Sequence, residues 1–177
     1  MGKTTVAWLA LTASLAGLIS IQNYQIDILR HERAEVDRDM LVFIVERRIL
    51  ASNRRLPLEI SQRIAIAGLE CAKRYNLDPL LLFATMQQES NFNPRAVGSS
   101  GERGLMQIAR PTAADIGLRW QDAFDVIANT CAGAFYLARH VHERGVHDGL
   151  LRYNGGGEPS YPLLVLAHYQ PRLGRSQ

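Results

Sequence analysis

An apolar segment with clear helix boundaries constrains the fold of this chain most strongly. The segment DPLLLFATMQQES starts with Asp78, a residue type that caps helix N-termini, and Pro79, which suits a first helical turn. Pro94 prevents the helix from continuing much further. Because its first two turns are apolar almost all round, we expect a helix over 79–90 that runs through the centre of a domain.

The polar residues of this helix are confined to its C-terminal end. Since Gln87, Gln88, Glu89 and Ser90 follow the apolar run, this end should open onto a cleft that water enters. The negative end of the helix dipole and the apolar neighbours both disfavour the ionised form of Glu89. The pattern therefore indicates a carboxylic acid that keeps its proton near neutral pH, as general acid catalysis requires. The alternative is a surface glutamate at a fraying helix end.

The rest of the C-terminal part also reads as helices. No strong alternation of apolar and polar residues argues for a sheet, so we predict an all-α fold. Gly145 is a suitable end for the longest predicted helix. The predicted helices of the globular part are 58–75, 79–90, 111–117, 123–144, 148–153 and 160–169.

The N-terminal part is predicted to lie outside the globular domain. Residues 1–21 hold a lysine followed by a long uncharged run, which is typical of a transmembrane anchor, with a cleavable signal sequence as the alternative. Residues 22–56 read as a charged helical linker, and Pro57 disfavours helix at the residue before it. The globular domain is then 57–177.

The charge distribution argues against a nucleic-acid-binding protein. The chain has 20 Lys and Arg residues against 17 Asp and Glu residues, a formal net charge of +3. These charges are spread along the chain and predict no basic face.

Neither the histidines nor the cysteines form a metal motif. His140 and His142 are two residues apart on a predicted helix and point in different directions. Cys71 and Cys131 are too far apart for a zinc knuckle. They can form a disulfide if the helices that carry them touch in an oxidising compartment, and otherwise they are two buried thiols.

Four ordered segments resemble one known family. ESNFNPRAVGSSGERGLMQI (89–108) resembles the signature of the lytic transglycosylase SLT family, which shares the lysozyme-like fold with goose-type lysozymes. DVIANTCAGAFYL (125–137), LLRYNGG (150–156) and SYPLLVLAHY (160–169) resemble later motifs of the same family, in the same order. The resemblance covers about residues 58–170 and implies an all-α, lysozyme-like SLT domain.

The resemblance implies a peptidoglycan lytic transglycosylase. Glu89 is the residue that it assigns as the single catalytic acid and base for the β-1,4 bond between N-acetylmuramic acid and N-acetylglucosamine. The carboxyl group protonates the leaving oxygen and then deprotonates the muramyl 6-hydroxyl, which leaves a 1,6-anhydro end. The family uses no metal or organic cofactor. The alternatives are a hydrolytic muramidase, in which Glu102 holds a water, and a structural subunit that only binds glycan.

The resemblance also assigns a substrate-binding set. Met106 and Gln107 match residues that line the sugar site, and Tyr153 matches a tyrosine that faces the catalytic glutamate. Ser90 is expected to hold the loop or cap the helix end, and Asn154 to tie a turn together. The full candidate set is Ser90, Met106, Gln107, Tyr136, Tyr153 and Asn154.

Tyr136 of this set and three positions outside it also have expected structural roles. Tyr136 and Phe92 read as core residues rather than as platforms for sugar rings. Asn129 is expected to brace the glycine-bearing loop. Gly98 stands where some family members have serine, so a hydroxyl contact from that position is absent.

The implied polymeric partner is the glycan strand of peptidoglycan. An anchor at 1–21 places the domain in the periplasm on the inner membrane, and a phage-encoded chain is virion-associated instead. The helix at 22–52 offers a face for a secretion, conjugation, pilus or phage-entry assembly, by family analogy.

Overall fold

The fold is helical throughout the part of the chain that the structure describes. The computed structural model describes the backbone of residues 3–169 and the side chains of residues 22–169. Within that range the only β pairing consists of isolated bridges that join Arg103 to Val97 and to Ile108. The all-α prediction is therefore confirmed.

The observed helices follow the predicted order, with ends shifted by a few residues. They are α1 (Lys3–Ser52), α2 (Leu58–Arg74), α3 (Pro79–Ser90), α4 (Arg110–Asp115), α5 (Val126–Tyr153) and α6 (Tyr161–His168). A short 3₁₀ turn occupies Trp120–Asp122. Gly145, at φ 77° and ψ 173°, breaks the helical geometry inside α5. The predicted helices 123–144 and 148–153 are therefore the two parts of one kinked element.

The chain divides into two compact units between Leu41 and Val42. The described side chains of the first unit are those of the α1 segment 22–41, and every one of them is exposed to solvent. Ion pairs one turn apart, such as Arg30 with Asp27, run along it. Exposed apolar side chains, such as that of Leu29, also lie on this segment.

The predicted anchor or signal sequence at 1–21 lies on residues whose side chains are outside the described part of the chain. Among the described residues, no helix combines the length and the apolar character that a membrane crossing needs. The residues of the predicted anchor are not among those described with side chains, and the anchor stays a prediction.

The second unit begins inside α1, earlier than the boundary at residue 57 that the sequence indicates. Val42, Val45 and Ile49 are buried in its core, because their spacing of three and four places them on one face of the helix. Two hydrogen bonds from asparagine side-chain amides to backbone carbonyls join the end of α1 to the end of α3. Asn53 Nδ2 donates to the Asn91 carbonyl at 3.0 Å, and Asn91 Nδ2 donates back to the end of α1 at 3.1 Å.

Helix α3 runs through the middle of this unit, as its apolar sequence predicts. Asp78 caps it by accepting a hydrogen bond from the Leu80 amide at 2.8 Å. Asn91 ends it in the left-handed conformation, at φ 48°. Gly68 lets α2 approach closely, since any side chain there would overlap the ring of Phe83. The helix C-terminus is thereby held at a defined place by its neighbours.

Helices α2 and α5 pack together and are joined covalently. Cys71 on α2 and Cys131 on α5 form a disulfide that spans a sequence separation of 60 residues. The contact between helices that this pairing requires is therefore present. Such a long closed loop removes much conformational freedom from the unfolded chain.

Removing the disulfide should destabilise the protein. For the Cys71→Ala, Cys131→Ala double variant we expect the free energy of unfolding to fall by about 4 kcal/mol, the chain-entropy value for a loop of this length. Denaturant unfolding of the oxidised native protein and of the variant measures the difference. The native protein in excess reductant is the control, since it loses the bond without a change of side chain. Coincident unfolding curves in all three samples would contradict this expectation.

Candidate active site

The C-terminal end of α3 opens onto a cleft, as the polar end of the helix predicts. The cleft has a volume of about 340 Å³. Its walls come from α3, the loop that follows, α4, the middle and the C-terminal end of α5, and the turn after α5. The lining residues are Glu89, Gly98, Ser99, Glu102, Gln107, Ile108, Ala109, Thr112, Tyr136, Tyr153, Asn154 and Gly155.

Glu89 is a partly buried carboxyl group that holds its proton unusually strongly. Burial is the main cause and raises the pKa of Glu89 from 4.5 to about 7. The Tyr161 hydroxyl donates a hydrogen bond to Glu89 Oε1, which opposes this shift by stabilising the ionised form. The charge of Glu102 raises the pKa further. At neutral pH a large share of the carboxyl groups is therefore protonated, which is the state that a general acid needs.

Tyr161 is the hydrogen-bond partner of Glu89, and the sequence analysis missed it. It is the first residue of α6 and is buried. Burial and the neighbouring carboxyl group both raise the pKa of Tyr161, so the phenol stays a donor at physiological pH. The available signal was a tyrosine at the start of a strongly apolar helix, since a buried phenol hydroxyl needs a polar partner.

Tyr153 lines the same cleft as Glu89, but its hydroxyl does not hydrogen-bond to that carboxyl group. Its hydroxyl donates instead to the Met106 carbonyl at 2.7 Å. Burial, followed by the charge of Glu89, raises the pKa of Tyr153 well above its usual value. The ring therefore lies in the cleft wall within electrostatic reach of the acid, while its hydroxyl braces the loop.

Met106 and Ser90 do not line the cleft. The Met106 side chain is fully buried and packs against Gly133, where a Cβ would collide with it. The expected sugar contact is therefore not made by this side chain, because the close approach of α5 takes it into the core. The Ser90 hydroxyl lies 3.1 Å from the Met86 carbonyl and 2.9 Å from the Leu105 carbonyl. Its single proton can be donated to either carbonyl, so the hydroxyl is placed for each of the two alternative roles that were expected, capping α3 or holding the loop.

Asn129 clamps the glycine-bearing loop, which confirms its predicted role. Its Oδ1 accepts from the Met106 amide at 2.8 Å. Its Nδ2 donates to the carbonyls of Arg103 at 3.0 Å and Ala123 at 2.8 Å. No side chain fits at Gly104, because a Cβ there would meet Asn129 and the backbone of Ala123. These three bonds satisfy a buried amide completely and tie the loop to α5.

Gln107 is a cleft residue with one free hydrogen-bonding group. Its Nε2 donates to the Gly104 carbonyl at 2.8 Å and to the Ala96 carbonyl at 3.3 Å. Oε1 makes no bond to the described residues, so it is available to accept a hydrogen bond from a ligand. The backbone of Gln107 is in the left-handed conformation, at φ 45°. This conformation is part of the turn that directs the side chain into the cleft.

Tyr136 and Asn154 complete the wall opposite this loop. Tyr136 is half-buried, and its ring lies 5.4 Å from that of Tyr153 and 4.6 Å from that of His140. It therefore belongs to the core on one side and to the cleft on the other. Asn154 ends α5 with its amide bonded to the Leu150 carbonyl at 3.1 Å. Phe92 is fully buried, as predicted.

Glu102 occupies the space that a side chain at position 98 would need. A Cβ on Gly98 would overlap the Glu102 carboxylate and lie 2.7 Å from Gln107 Oε1. The amide of Ser100 donates to Glu102 Oε2 at 3.1 Å and holds the carboxylate in this position. Some members of the family that the sequence resembles have a serine in place of Gly98. In this cleft the carboxylate of Glu102 takes the space of that hydroxyl. Within the described part of the chain, no cluster of three or more His, Cys, Asp or Glu residues is suited to hold a metal ion.

Comparison with known proteins places the chain in one family. Its residues 68–160 match the family model described as the transglycosylase SLT domain. The chain belongs to this family. It is 39% identical over 112 residues to a protein named "Transglycosylase" from Enterobacteria phage PRD1, an alignment that covers 58% of this chain and 42% of the relative.

A second relative is a bacterial protein. The chain is 40% identical over 73 residues to "Membrane-bound lytic murein transglycosylase F" of Desulfosudis oleivorans (strain DSM 6200 / JCM 39069 / Hxd3), covering 41% of this chain and 16% of the relative. The aligned part of the chain spans less than half the length of each of these two relatives. The catalytic candidate and the whole cleft-lining set lie within the matched SLT domain.

Two substitutions in this SLT domain should move the pKa of Glu89 in opposite directions. Tyr161→Phe should raise it, because the carboxylate loses a donor, and Glu102→Gln should lower it, because a repulsive charge is removed. A pH titration of the Glu89 carboxyl carbon by NMR measures both shifts. Tyr169→Phe is a matched control, since it removes a hydrogen bond from a tyrosine to a different carboxylate, Asp78. A native Glu89 that titrates near 4.5 would contradict the analysis.

Proposed function

We propose that this protein is a peptidoglycan lytic transglycosylase in which Glu89 is the acid and then the base. The observation that carries the proposal is the carboxyl group of Glu89, partly buried at the edge of a cleft with its pKa raised to about 7. A carboxyl group in this state donates a proton to a glycosidic oxygen near neutral pH. The matched SLT domain and the names of the relatives support peptidoglycan as the substrate.

The hydrogen bond from Tyr161 supports a specific orientation of the acid. Because Tyr161 donates to Oε1, that oxygen acts as an acceptor and the proton of Glu89 resides on Oε2. When the proton leaves for the glycosidic oxygen, the same bond stabilises the carboxylate that forms. Tyr161 is therefore a positioning residue that serves both protonation states of the acid.

In the proposed reaction one carboxyl group first donates a proton and then takes one up again. Glu89 gives its proton to the oxygen of the β-1,4 bond between N-acetylmuramic acid and N-acetylglucosamine, and this bond breaks. The carboxylate then takes the proton of the muramyl 6-hydroxyl, whose oxygen bonds to the anomeric carbon and leaves a 1,6-anhydro end. Glu89 regains its starting state without a second catalytic carboxylate or a water. The free Oε1 of Gln107 is available to accept from an acetamido N–H or a sugar hydroxyl.

A hydrolytic muramidase is the second candidate, and the position of Glu102 favours it. Glu102 lines the same cleft as Glu89 and raises the pKa of that acid by its charge. A carboxylate so placed is suited to hold a water that attacks the anomeric carbon. Its Oε2 already accepts from the Ser100 amide, which leaves fewer lone pairs to orient a water.

We further propose that the enzyme acts in the cell envelope or as part of a virion. Peptidoglycan lies outside the cytoplasm, and the disulfide between α2 and α5 is typical of an oxidising compartment. The names of the two relatives, one membrane-bound and one from a phage, support these locations. The exposed apolar side chains of segment 22–41 suit the binding of an envelope assembly, and an anchor at 1–21 remains part of the proposal.

Glu89→Gln should abolish the cleavage of purified sacculi while the fold is retained. Gln keeps an acceptor for Tyr161 but has no proton of suitable acidity, so we expect the rate to fall by at least about 100-fold. Release of soluble muropeptides measures the rate, and circular dichroism with thermal unfolding checks the fold. Glu59→Gln, at the exposed start of α2, is the control with the same change of charge. A Glu89→Gln variant with the native rate would show that another group is the acid.

The masses of the products from the same digests separate the candidate functions. A transglycosylase leaves 1,6-anhydro ends, which are one water lighter than the reducing ends that a muramidase leaves. If the protein is a transglycosylase, Glu102→Gln should retain activity and still give anhydro ends. If it is a muramidase, Glu102→Gln should lose activity. Native protein that binds sacculi but releases nothing would indicate a non-catalytic glycan-binding subunit.

A further inference from the structure

Two arginines beside the cleft lie over the same aromatic ring. The guanidinium carbon of Arg103 is 4.3 Å from the ring centre of Trp120 and 5.0 Å from that of Phe124. The guanidinium carbon of Arg110 is 6.0 Å from the ring centre of Trp120. We refer to these four residues as the arginine patch.

The arginine patch presents hydrogen-bond donors that have no protein partner. Neither guanidinium donates a hydrogen bond to, or forms an ion pair with, any residue among 22–169. The nearby carboxylate of Asp122 is engaged by Arg119 at 2.6 Å. Aromatic rings contact the guanidinium of Arg103 and restrict its movement, while its N–H groups remain available. The two guanidinium groups bring two positive charges near one ring, and this local charge favours the binding of an anion.

The backbone places the arginine patch next to the cleft. Arg103 follows the cleft residue Glu102, and its backbone pairs with that of Ile108 through hydrogen bonds of 3.1 and 3.0 Å. Arg110 follows the cleft residue Ala109 and begins α4, which also contributes Thr112 to the cleft. The two arginines are therefore carried by the same loop and the same helix that form part of the cleft wall.

We propose that the arginine patch binds carboxylate groups of the peptide attached to the muramyl sugar of peptidoglycan. This inference rests on the proposed function, since it takes the glycan strand as the occupant of the cleft. A planar guanidinium fits a carboxylate with two parallel hydrogen bonds. The covalent link to the sugar raises the local concentration of the peptide carboxylates, which favours them over anions free in solution. The patch thereby makes the enzyme prefer strands that carry peptides over bare strands.

Binding of the Glu89→Gln variant to two forms of one glycan tests this proposal without cleavage. The probes are purified glycan strands that carry their peptides and the same strands after enzymatic removal of the peptides. We expect co-sedimentation to show about tenfold tighter binding to the peptide-bearing strands, the preference that one charge-assisted contact provides. Adding Arg110→Gln, or Arg103→Lys, should remove most of this preference and leave binding to the bare strands unchanged.

The variants are chosen so that a folding defect cannot imitate the result. Arg110 is exposed, and Arg103→Lys keeps a positive charge beside Trp120 while losing the planar fork. Arg74→Gln, at the exposed end of α2, is the control, and the peptide preference should survive in it. Equal binding to both strands, no binding to either, or a preference that survives in both patch variants would overturn the proposal. Retention on vesicles of anionic phospholipid without a peptide preference would assign the patch to a lipid surface and would also overturn it.

Failure of this inference is distinguishable from failure of the proposed function. If native protein cleaves bare and peptide-bearing strands with equal kcat/KM, the proposed transglycosylase activity is supported and the proposed peptide binding by the arginine patch is contradicted. Native protein that cleaves neither, while the Glu89→Gln variant keeps the peptide preference, contradicts the enzyme and supports the patch. If both proposals hold, the patch variants raise KM on peptide-bearing strands and leave kcat near its native value.

Discussion

The chemistry proposed for this protein depends on one carboxyl group that is largely buried away from water and accepts a hydrogen bond from a single donor, Tyr161. Burial disfavours the ionised form of Glu89 and the hydroxyl of Tyr161 favours it, and burial wins, so that the pKa rises to about 7. This has a cost for the fold. The unfolded chain releases the proton near 4.5 and the folded chain near 7, so stability falls as the pH rises across that window and stays lower above it. Such a cost is typical of sites that are built for chemistry rather than for stability.

The surrounding helices keep this carboxyl group in place through close packing and a few satisfied polar groups. The first two turns of α3 are apolar on almost all sides and are held between neighbouring helices, with Gly68 allowing α2 to contact Phe83. Asn129 ties the loop opposite Glu89 to α5 through three hydrogen bonds. The disulfide between α2 and α5 limits the freedom of the unfolded chain. This closely packed region borders the cleft, in which Oε1 of Gln107 makes no hydrogen bond to the described residues.

Local sequence signals predicted the central helix and the carboxyl group at its end beside a cleft. The Asp78–Pro79 start and the polar C-terminal end of α3 depend on short-range rules of helix capping and burial, so the helix could be derived without tertiary information. The partner of Glu89 could not be derived in this way. Tyr161 lies 72 residues further along the chain, and only the packing of α6 on α3 brings its hydroxyl to the carboxyl group.

Two other differences have similar origins in tertiary packing. Met106 is polarisable and lies beside the cleft residue Gln107 in sequence, yet Gly133 leaves room for its side chain in the core. The globular unit starts at Val42 because one face of a charged helix is buried, which composition alone does not distinguish from a solvated linker. The room for Glu102 that Gly98 provides is likewise a property of the folded loop.

The pH dependence of kcat/KM on soluble glycan strands tests the central claim most directly, because this ratio reports the ionisation of the free enzyme. If the protonated form of Glu89 starts the reaction, kcat/KM should decline as the pH rises through about 7 and then fall about tenfold for each further pH unit. A rate that stays level up to pH 9, or one that already declines near pH 4.5, would contradict the account.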